Sequence, residues 1–329
     1  MGFLTRKLGS GIITLLLMTF VVFCLQSVVP SDPARLIAGP AAPAATIEAL
    51  RTQMGLDDDI VTRYGRFLAD LMKGDLGTSI RTRQPVLSDI AKYAPATLEL
   101  AVVAMVIGIL AAAALAVLQA TYPALRILRL SFAGIGSAPV FLTSLLFVYL
   151  FWFHLGWLPG SGRLDVRGFS GPTGLLIVDT LASGDLPLFG DALAHLVLPA
   201  CVLAAPIAVA IGQVLTSSLL DVMRQGYIRT ARGKGLRLIT VVMRHGLRNA
   251  ANSALTMSGL QVRLLFGNIL VVERIFGWPG LGMYTVQALS YSDFTAILGV
   301  ALILGAIYIT VGTLVEMAQR IADPRITFD

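Results

Sequence analysis

A strongly basic stretch at positions 217–256 lies between two long apolar runs. It carries seven Lys or Arg residues against a single acid, Asp221. The flanking runs, Leu196–Leu215 and Ala254–Phe276, each approach or exceed the roughly 20 residues that cross a hydrocarbon core. The stretch is therefore predicted to be a loop between two membrane spans, and the excess of positive charge predicts that it lies in the cytoplasm.

The composition agrees with a membrane protein. Only 13% of the 329 residues are charged, whereas a soluble domain averages about 25%. The net charge of +6 is concentrated in the predicted cytoplasmic loops, which indicates topology and contact with membrane lipid, and no nucleic-acid binding. The two cysteines, Cys24 and Cys201, lie in separate apolar runs and predict neither a disulfide framework nor a zinc site.

Apolar segments divide the chain and predict an all-α, polytopic fold with six transmembrane helices. A cleaved signal peptide is the alternative reading of the first segment, which follows Arg6 and Lys7, but its length of about 20 residues suits a span. Six spans place both termini in the cytoplasm. The predicted spans are approximately 8–29, 95–119, 130–153, 192–217, 251–275 and 294–318.

The predicted domain organisation has three parts. Residues 1–29 form the first transmembrane helix, residues 30–95 an extracytoplasmic insert, and residues 96–329 a five-helix core with a cytoplasmic loop at 218–250. The insert is polar and contains eight basic and eight acidic residues. Its apolar periodicity predicts helices at Thr46–Met54 and Ile60–Lys73. It is either a surface that contacts a partner protein or a purely structural lid.

Several residues are predicted to lie at span boundaries. Glu99, near the outer end of the second span, is interpreted as an interfacial acid that reaches toward water, in preference to a substrate ligand. Trp152, His154 and Trp157 are interpreted as an interfacial aromatic belt. Pro139 is expected to kink the third span.

The basic stretch has its own periodicity. Tyr227, Ile228, Ala231 and Leu236 recur at roughly helical spacing, which predicts a short amphipathic helix. The Gly-Lys-Gly sequence at 233–235 predicts a break in that helix.

The order of residues in this stretch resembles the EAA loop of binding-protein-dependent ABC importers, in particular the dipeptide/oligopeptide/nickel permease family. The family pattern is close to YxRTARAKGL followed by RHALRNA. Residues 227–236 read YIRTARGKGL, and residues 244–250 read RHGLRNA. The phrases GDLGTS at 74–79 and FGWPGLG at 276–282 also match the family, so the resemblance covers essentially the whole chain.

This resemblance implies a type I importer permease in the bacterial inner membrane. The chain would move peptides or peptide-like solutes inward, paired with a homologous second permease, two cytoplasmic ATPase subunits and an extracytoplasmic binding protein. ATP and Mg would be bound by the ATPases and no cofactor by this chain. A nickel–metallophore or opine importer of the same family is the alternative.

The resemblance also implies which residues contact the ATPase. Gly235 matches the characteristic family glycine, at the turn between two coupling helices, where glycine suits a positive φ. The implied coupling residues are Tyr227, Arg229, Thr230, Ala231, Arg232, Lys234, Gly235, Leu236, Arg244, His245, Arg248 and Asn249.

Other functional classes lack sequence support. The segment Arg232–Gly235 does not have Walker A spacing, and the sequence shows no nucleophile elbow, metal-ligand cluster or paired His/Asp constellation, so the chain is predicted not to be an enzyme. A self-sufficient secondary transporter would show inverted repeats and acidic residues within its spans. A membrane receptor or scaffold would not need an ATPase-docking motif.

Polar residues within the predicted spans are candidates for the translocation pathway, because burying them in hydrocarbon is unfavourable. Arg263 is predicted to lie near mid-membrane, where the family usually has a small residue. Gln213 and Thr216 stand where the family often has arginines. Interhelical hydrogen bonding is the alternative role for the amides. The candidate pathway residues are Gln213, Gln261, Arg263, Asn268 and Glu273.

Overall fold

The computed structural model describes residues 2–28, 33–39, 41–122, 134, 136, 138–166 and 168–322. This part of the chain is helical and contains no β-strand. The described helices are α1 (Gly2–Val28), α2 (Pro33–Ala38), α3 (Ala44–Gln53), α4 (Ile60–Met72), α5 (Val86–Thr121), α6 (Val140–Phe147), α7 (Leu176–Ala182), α8 (Leu186–Met223), α9 (Gly226–Gly233), α10 (Leu238–Val241), α11 (Leu247–Ile275), α12 (Leu281–Ser290) and α13 (Phe294–Ala322).

Five of the described helical segments are long and apolar enough to cross a membrane. They coincide with five of the six predicted spans. The third predicted span is only partly described: α6 and the π-helical segment Val148–His154 that continues it form a shorter apolar helix, and most of 130–137 lies outside the described residues. The count of six spans therefore stays a prediction. The five segments are Gly9–Gln26, Val86–Thr121, Leu186–Met223, Leu238–Ile275 and Phe294–Gln319.

Pro139 does not kink a helix as predicted. It is the N-cap of α6, with φ −55° and ψ 135°. Proline tolerates this place because the first helical turn leaves its N–H groups without intrahelical acceptors.

The two helices predicted in the 30–95 insert are confirmed as α3 and α4. The carboxylate of Asp59 caps α4 by accepting hydrogen bonds of 3.1 Å from the amides of Val61 and Thr62. The hydroxyl and amide of Thr62 together hold the pKa of Asp59 below its ordinary value. Tyr64 of α4 packs edge-on against Phe20 of α1. Residues 30–95 thus contain helices with their own caps, and α4 packs against α1.

The chain divides into two compact units, residues 1–95 with 280–309 and residues 96–279 with 310–329. In the first unit, Tyr284 is completely buried and its hydroxyl donates to Asp89 at 2.9 Å. Burial, followed by that hydrogen bond, raises the pKa of Tyr284. Asp293, also completely buried, accepts a hydrogen bond of 2.6 Å from Ser79. The apolar core around these groups comprises Leu76, Val86, Ile90, Leu281, Ala288, Ala296 and Val300.

The second unit is built around α8, against which α6, α7 and α11 pack. A Cβ placed on Gly108 of α5 would lie 2.6 Å from Ile207, so glycine lets these two helices approach closely. Helix α8 contains Pro199 and Pro206 in its interior. Neither has an N–H group, so the carbonyls of His195 and Val202, four residues earlier, have no intrahelical donor from these positions.

Candidate functional site

The basic stretch forms two short helices separated by a glycine turn. Helix α9 follows the end of α8 after a short connection and stops at Gly233. Gly235 has φ +81°, in the left-handed region that favours glycine. The chain then re-enters helix at Leu238, and a π-helical turn, Val242–Gly246, joins α10 to α11. The predicted break at 233–235 is therefore confirmed.

One face of this stretch is anchored inside the second unit. Ile228 of α9 is 1% exposed, and Val241 and Val242 are completely buried. They pack with Leu219 near the end of α8 and Ala250 near the start of α11. This apolar cluster joins the two short helices to both long helices, so α9 and α10 are held firmly against α8 and α11.

The opposite face is exposed and carries the Lys and Arg side chains of the stretch. All seven cations are exposed, and none forms an ion pair or a side-chain hydrogen bond with any residue that the structure describes. Tyr227 and Leu236 are 43% and 41% exposed on the same stretch. Ten of the twelve predicted coupling residues are exposed, and the other two, Ala231 and His245, are half-buried.

Two glycines of the stretch have different environments. A Cβ added at Gly235 would meet no atom within 4 Å, so only its positive φ requires glycine. A Cβ at Gly246 would lie 2.7 Å from Leu219 Cδ1. Gly246 therefore allows α11 to begin close to the end of α8.

The five predicted pathway residues do not share one environment. Gln213 and Arg263 are exposed, and Asn268 is half-buried. Gln261 is 5% exposed. Glu273 is completely buried and accepts a hydrogen bond of 2.6 Å from Thr97, and its assignment to the pathway stays a prediction.

Family comparisons agree with this architecture. A family model described as the binding-protein-dependent transport system inner membrane component matches residues 104–328, and a model of the N-terminal part of such membrane components matches residues 1–101. The chain belongs to this family. It is a type I ABC permease and a multi-pass protein of the bacterial inner membrane.

Named relatives of the permease match over almost its whole length. It is 38% identical to a probable D,D-dipeptide transport system permease protein, DdpB, of Escherichia coli (strain K12), over 93% of the permease and 92% of the relative. It is 37% identical to a di/tripeptide transport system permease protein, DppB, of Pseudomonas aeruginosa, covering 99% and 98%. It is 32% identical to a glutathione transport system permease protein, GsiC, of Salmonella paratyphi A, covering 100% and 99%.

The interpretation of Glu99 as a water-facing acid is wrong. Its side chain is 5% exposed and forms an ion pair of 2.5 Å with Arg163. Its other oxygen accepts the amide of Ile177 at 2.7 Å. The Arg163 guanidinium lies 5.2 Å from the ring centroid of Trp278, whose indole N–H donates to the Ala96 carbonyl at 2.9 Å. Sequence periodicity missed this group because Glu99 and Arg163 are 64 positions apart.

The structure brings together one histidine and two aspartates that the sequence analysis does not single out. Asp165, Asp191 and His195 offer ligand atoms that all lie within 4.8 Å of one another. Asp191 and His195 are four residues apart in α8, a spacing that places them on one helical face and that was visible in the sequence. Asp165 comes from the loop before α7. Its approach to Asp191 and His195 was not visible in the sequence.

Proposed function

We propose that this chain is the permease subunit of an ATP-driven importer for peptides or peptide-like solutes. Its basic loop, residues 218–250, docks on a cytoplasmic ATPase subunit. Exposed cations and exposed Tyr227 and Leu236 on a firmly anchored scaffold support the docking role, because contiguous exposed apolar and charged groups mark protein interaction surfaces. The peptide substrate is supported by relatives named for dipeptide, di/tripeptide and glutathione transport.

The observation that carries the proposal is the positive-φ turn at Gly235 between two short helices whose inner faces are buried. Because Ile228 and Val241 pack with residues of both α8 and α11, a force applied at the turn reaches two long helices together. Closure of the ATPases on ATP and Mg would move these helices as a body and change which side of the membrane the pathway opens to. A second permease and an extracytoplasmic binding protein complete the complex.

Substitutions in the Gly-Lys-Gly turn test this role. We expect Gly235→Val, in the complete importer reconstituted in proteoliposomes, to abolish substrate-stimulated ATP hydrolysis and uptake, because a β-branched residue is strained at φ +81°. Gly235→Asn should retain most activity, since asparagine tolerates this backbone region. Gly233→Ala is the matched control: Gly233 ends a helix, and its added Cβ would meet no atom within 4 Å.

Normal uptake by the Gly235→Val importer would exclude the turn as the coupling element. A loss of uptake in Gly233→Ala equal to that in Gly235→Val would show that the effect is not specific to the positive-φ position. Blue-native electrophoresis distinguishes an uncoupled complex from one that has failed to assemble.

We also propose that Arg263 faces the translocation pathway or the second permease. It is exposed on α11 within a candidate span, and a lipid-facing arginine at mid-span is unfavourable by about 2.5–3.5 kcal/mol on insertion scales. Exposed Ser253, Thr256 and Gly267 accompany it at helical spacing along α11. Unchanged uptake of zwitterionic peptides by an Arg263→Ala importer of normal yield would argue against a pathway role.

A further inference from the structure

The Asp165–Asp191–His195 cluster holds an imidazole in one orientation. His195 is buried, with a side chain that is 2% exposed. Its Nδ1 lies 3.0 Å from the Asp191 backbone carbonyl and 3.0 Å from Asp191 Oδ1. Both are acceptors, so Nδ1 carries the proton and donates to them.

This tautomer leaves a lone pair on the other ring nitrogen. Nε2 of the neutral ring is an acceptor, and it faces Asp165 Oδ1 at 3.5 Å. A carboxylate is also an acceptor. Two acceptors with no hydrogen between them repel each other, so the contact needs either a proton on Nε2 or a metal ion between Nε2 and Asp165.

The geometry fits a metal ion in that position. Zinc–nitrogen and zinc–carboxylate bonds of about 2.0–2.2 Å in a tetrahedral shell separate ligand atoms by about 3.4 Å, close to the observed 3.5 Å. An imidazole that ligates through one nitrogen and donates its other N–H to a carboxylate or carbonyl is the usual arrangement around protein-bound zinc. Asp191 supplies that orienting group.

Asp191 also positions Asp165, the loop residue of the cluster. Its Oδ2 accepts the backbone amide of Asp165 at 2.9 Å, which holds the loop residue against α8. Lone pairs of the Asp191 carboxylate remain for a metal. Since the Asp165 side chain is 86% exposed, the site is open on one side.

We propose that Asp165, Asp191 and His195 form a binding site for a first-row divalent transition metal such as Zn²⁺. His195 Nε2 and the Asp165 carboxylate are ligands, Asp191 orients the ring and shares the ion, and water completes the shell. The imidazole favours zinc, nickel or copper over calcium and magnesium, which prefer oxygen ligands alone. A bound ion would tie the loop that contains Asp165 to the first turns of α8.

Equilibrium binding of ⁶⁵Zn²⁺ tests the site on the purified full-length chain in detergent, after removal of metals with a chelator. We expect one zinc per chain that is lost in His195→Ala. Because His195 is buried, Asp165→Asn is the second variant: it keeps the size of an exposed side chain and should weaken binding about tenfold or more. His154→Ala is the control, since His154 is an exposed histidine outside the cluster.

Three results would overturn the proposal. They are no zinc bound by the wild-type chain, equal binding by wild type and Asp165→Asn, or displacement of zinc by millimolar Ca²⁺. The first would mean that a proton, and no metal, lies between Nε2 and Asp165. The experiment does not depend on transport, so none of these results bears on the proposed importer function.

Discussion

The Glu99 ion pair and the basic loop differ in the environment of their charged groups, although both lie in the second unit. Arg163 has a side chain that is only 13% exposed, is paired with Glu99 and packs on Trp278. Each cation of the loop is exposed and has no side-chain partner among the described residues. The first arrangement neutralises its charge within the chain, whereas the second leaves its charges available to another molecule.

This difference indicates what each region contributes. A buried ion pair fixes the geometry of the segments that supply it, because removing one partner leaves an uncompensated charge in a medium of low dielectric constant. Exposed and unpaired cations add little to stability and serve encounter with an acidic partner. The ion pair therefore belongs to the fold, and the exposed cations fit the interface proposed for the loop's outer face.

The largest expected effect is on the ion pair. Glu99→Ala should destabilise the protein by about 3–5 kcal/mol, because the largely enclosed Arg163 guanidinium would lose its counter-charge. Thermal unfolding of the purified chain in detergent measures this as a large fall in Tm. Asp221→Asn, at an exposed acid of α8, is the control and should leave Tm unchanged. An equal Tm for Glu99→Ala and wild type would contradict a structural role for the pair.

A smaller loss is expected on the loop's inner face. Ile228→Ala should cost about 2–5 kcal/mol, as for other buried aliphatic residues that leave a cavity. Uptake should fall as well, because the α9 helix would no longer be held against α8 and α11. Thr230→Ala, two positions away on the exposed face, provides the comparison and should preserve Tm. A stable, fully active Ile228→Ala importer would show that this anchor does not transmit motion.

The smallest effect on stability is expected on the loop's outer face. Arg229→Gln with Arg232→Gln should change the free energy of unfolding by no more than about 0.5 kcal/mol, because both side chains are exposed. The same double variant should weaken association with the ATPase subunits, most clearly at low salt where charge is least screened. Thermal unfolding checks the first statement, and co-purification at two salt concentrations checks the second. Undiminished association at low salt would contradict a role for these cations in the interface.

The sequence predicted local features well. Hydrophobic length placed the five long helices, periodicity placed α3 and α4 within two residues at each end, and the Gly-Lys-Gly sequence predicted the turn that Gly235 makes at φ +81°. These features depend on neighbours along the chain, and their physical causes are visible in a short window.

The errors concern contacts between distant segments. Glu99 was read from its position near a span end, but its environment is set by Arg163, Ile177 and their packing on Trp278. The Asp165–His195 approach depends on how a loop folds back on α8, which no spacing reveals.

The two interior prolines of α8 have a mechanical consequence. Each removes one rung of the backbone hydrogen-bond ladder, at the carbonyls of His195 and Val202. Seven residues is close to two turns, so both gaps lie on nearly the same side of the helix. The helix that runs from the Asp165–Asp191–His195 cluster to the basic loop can therefore change its curvature at two places without breaking a hydrogen bond. Because both gaps lie on nearly the same side, bending at either place occurs in nearly the same plane.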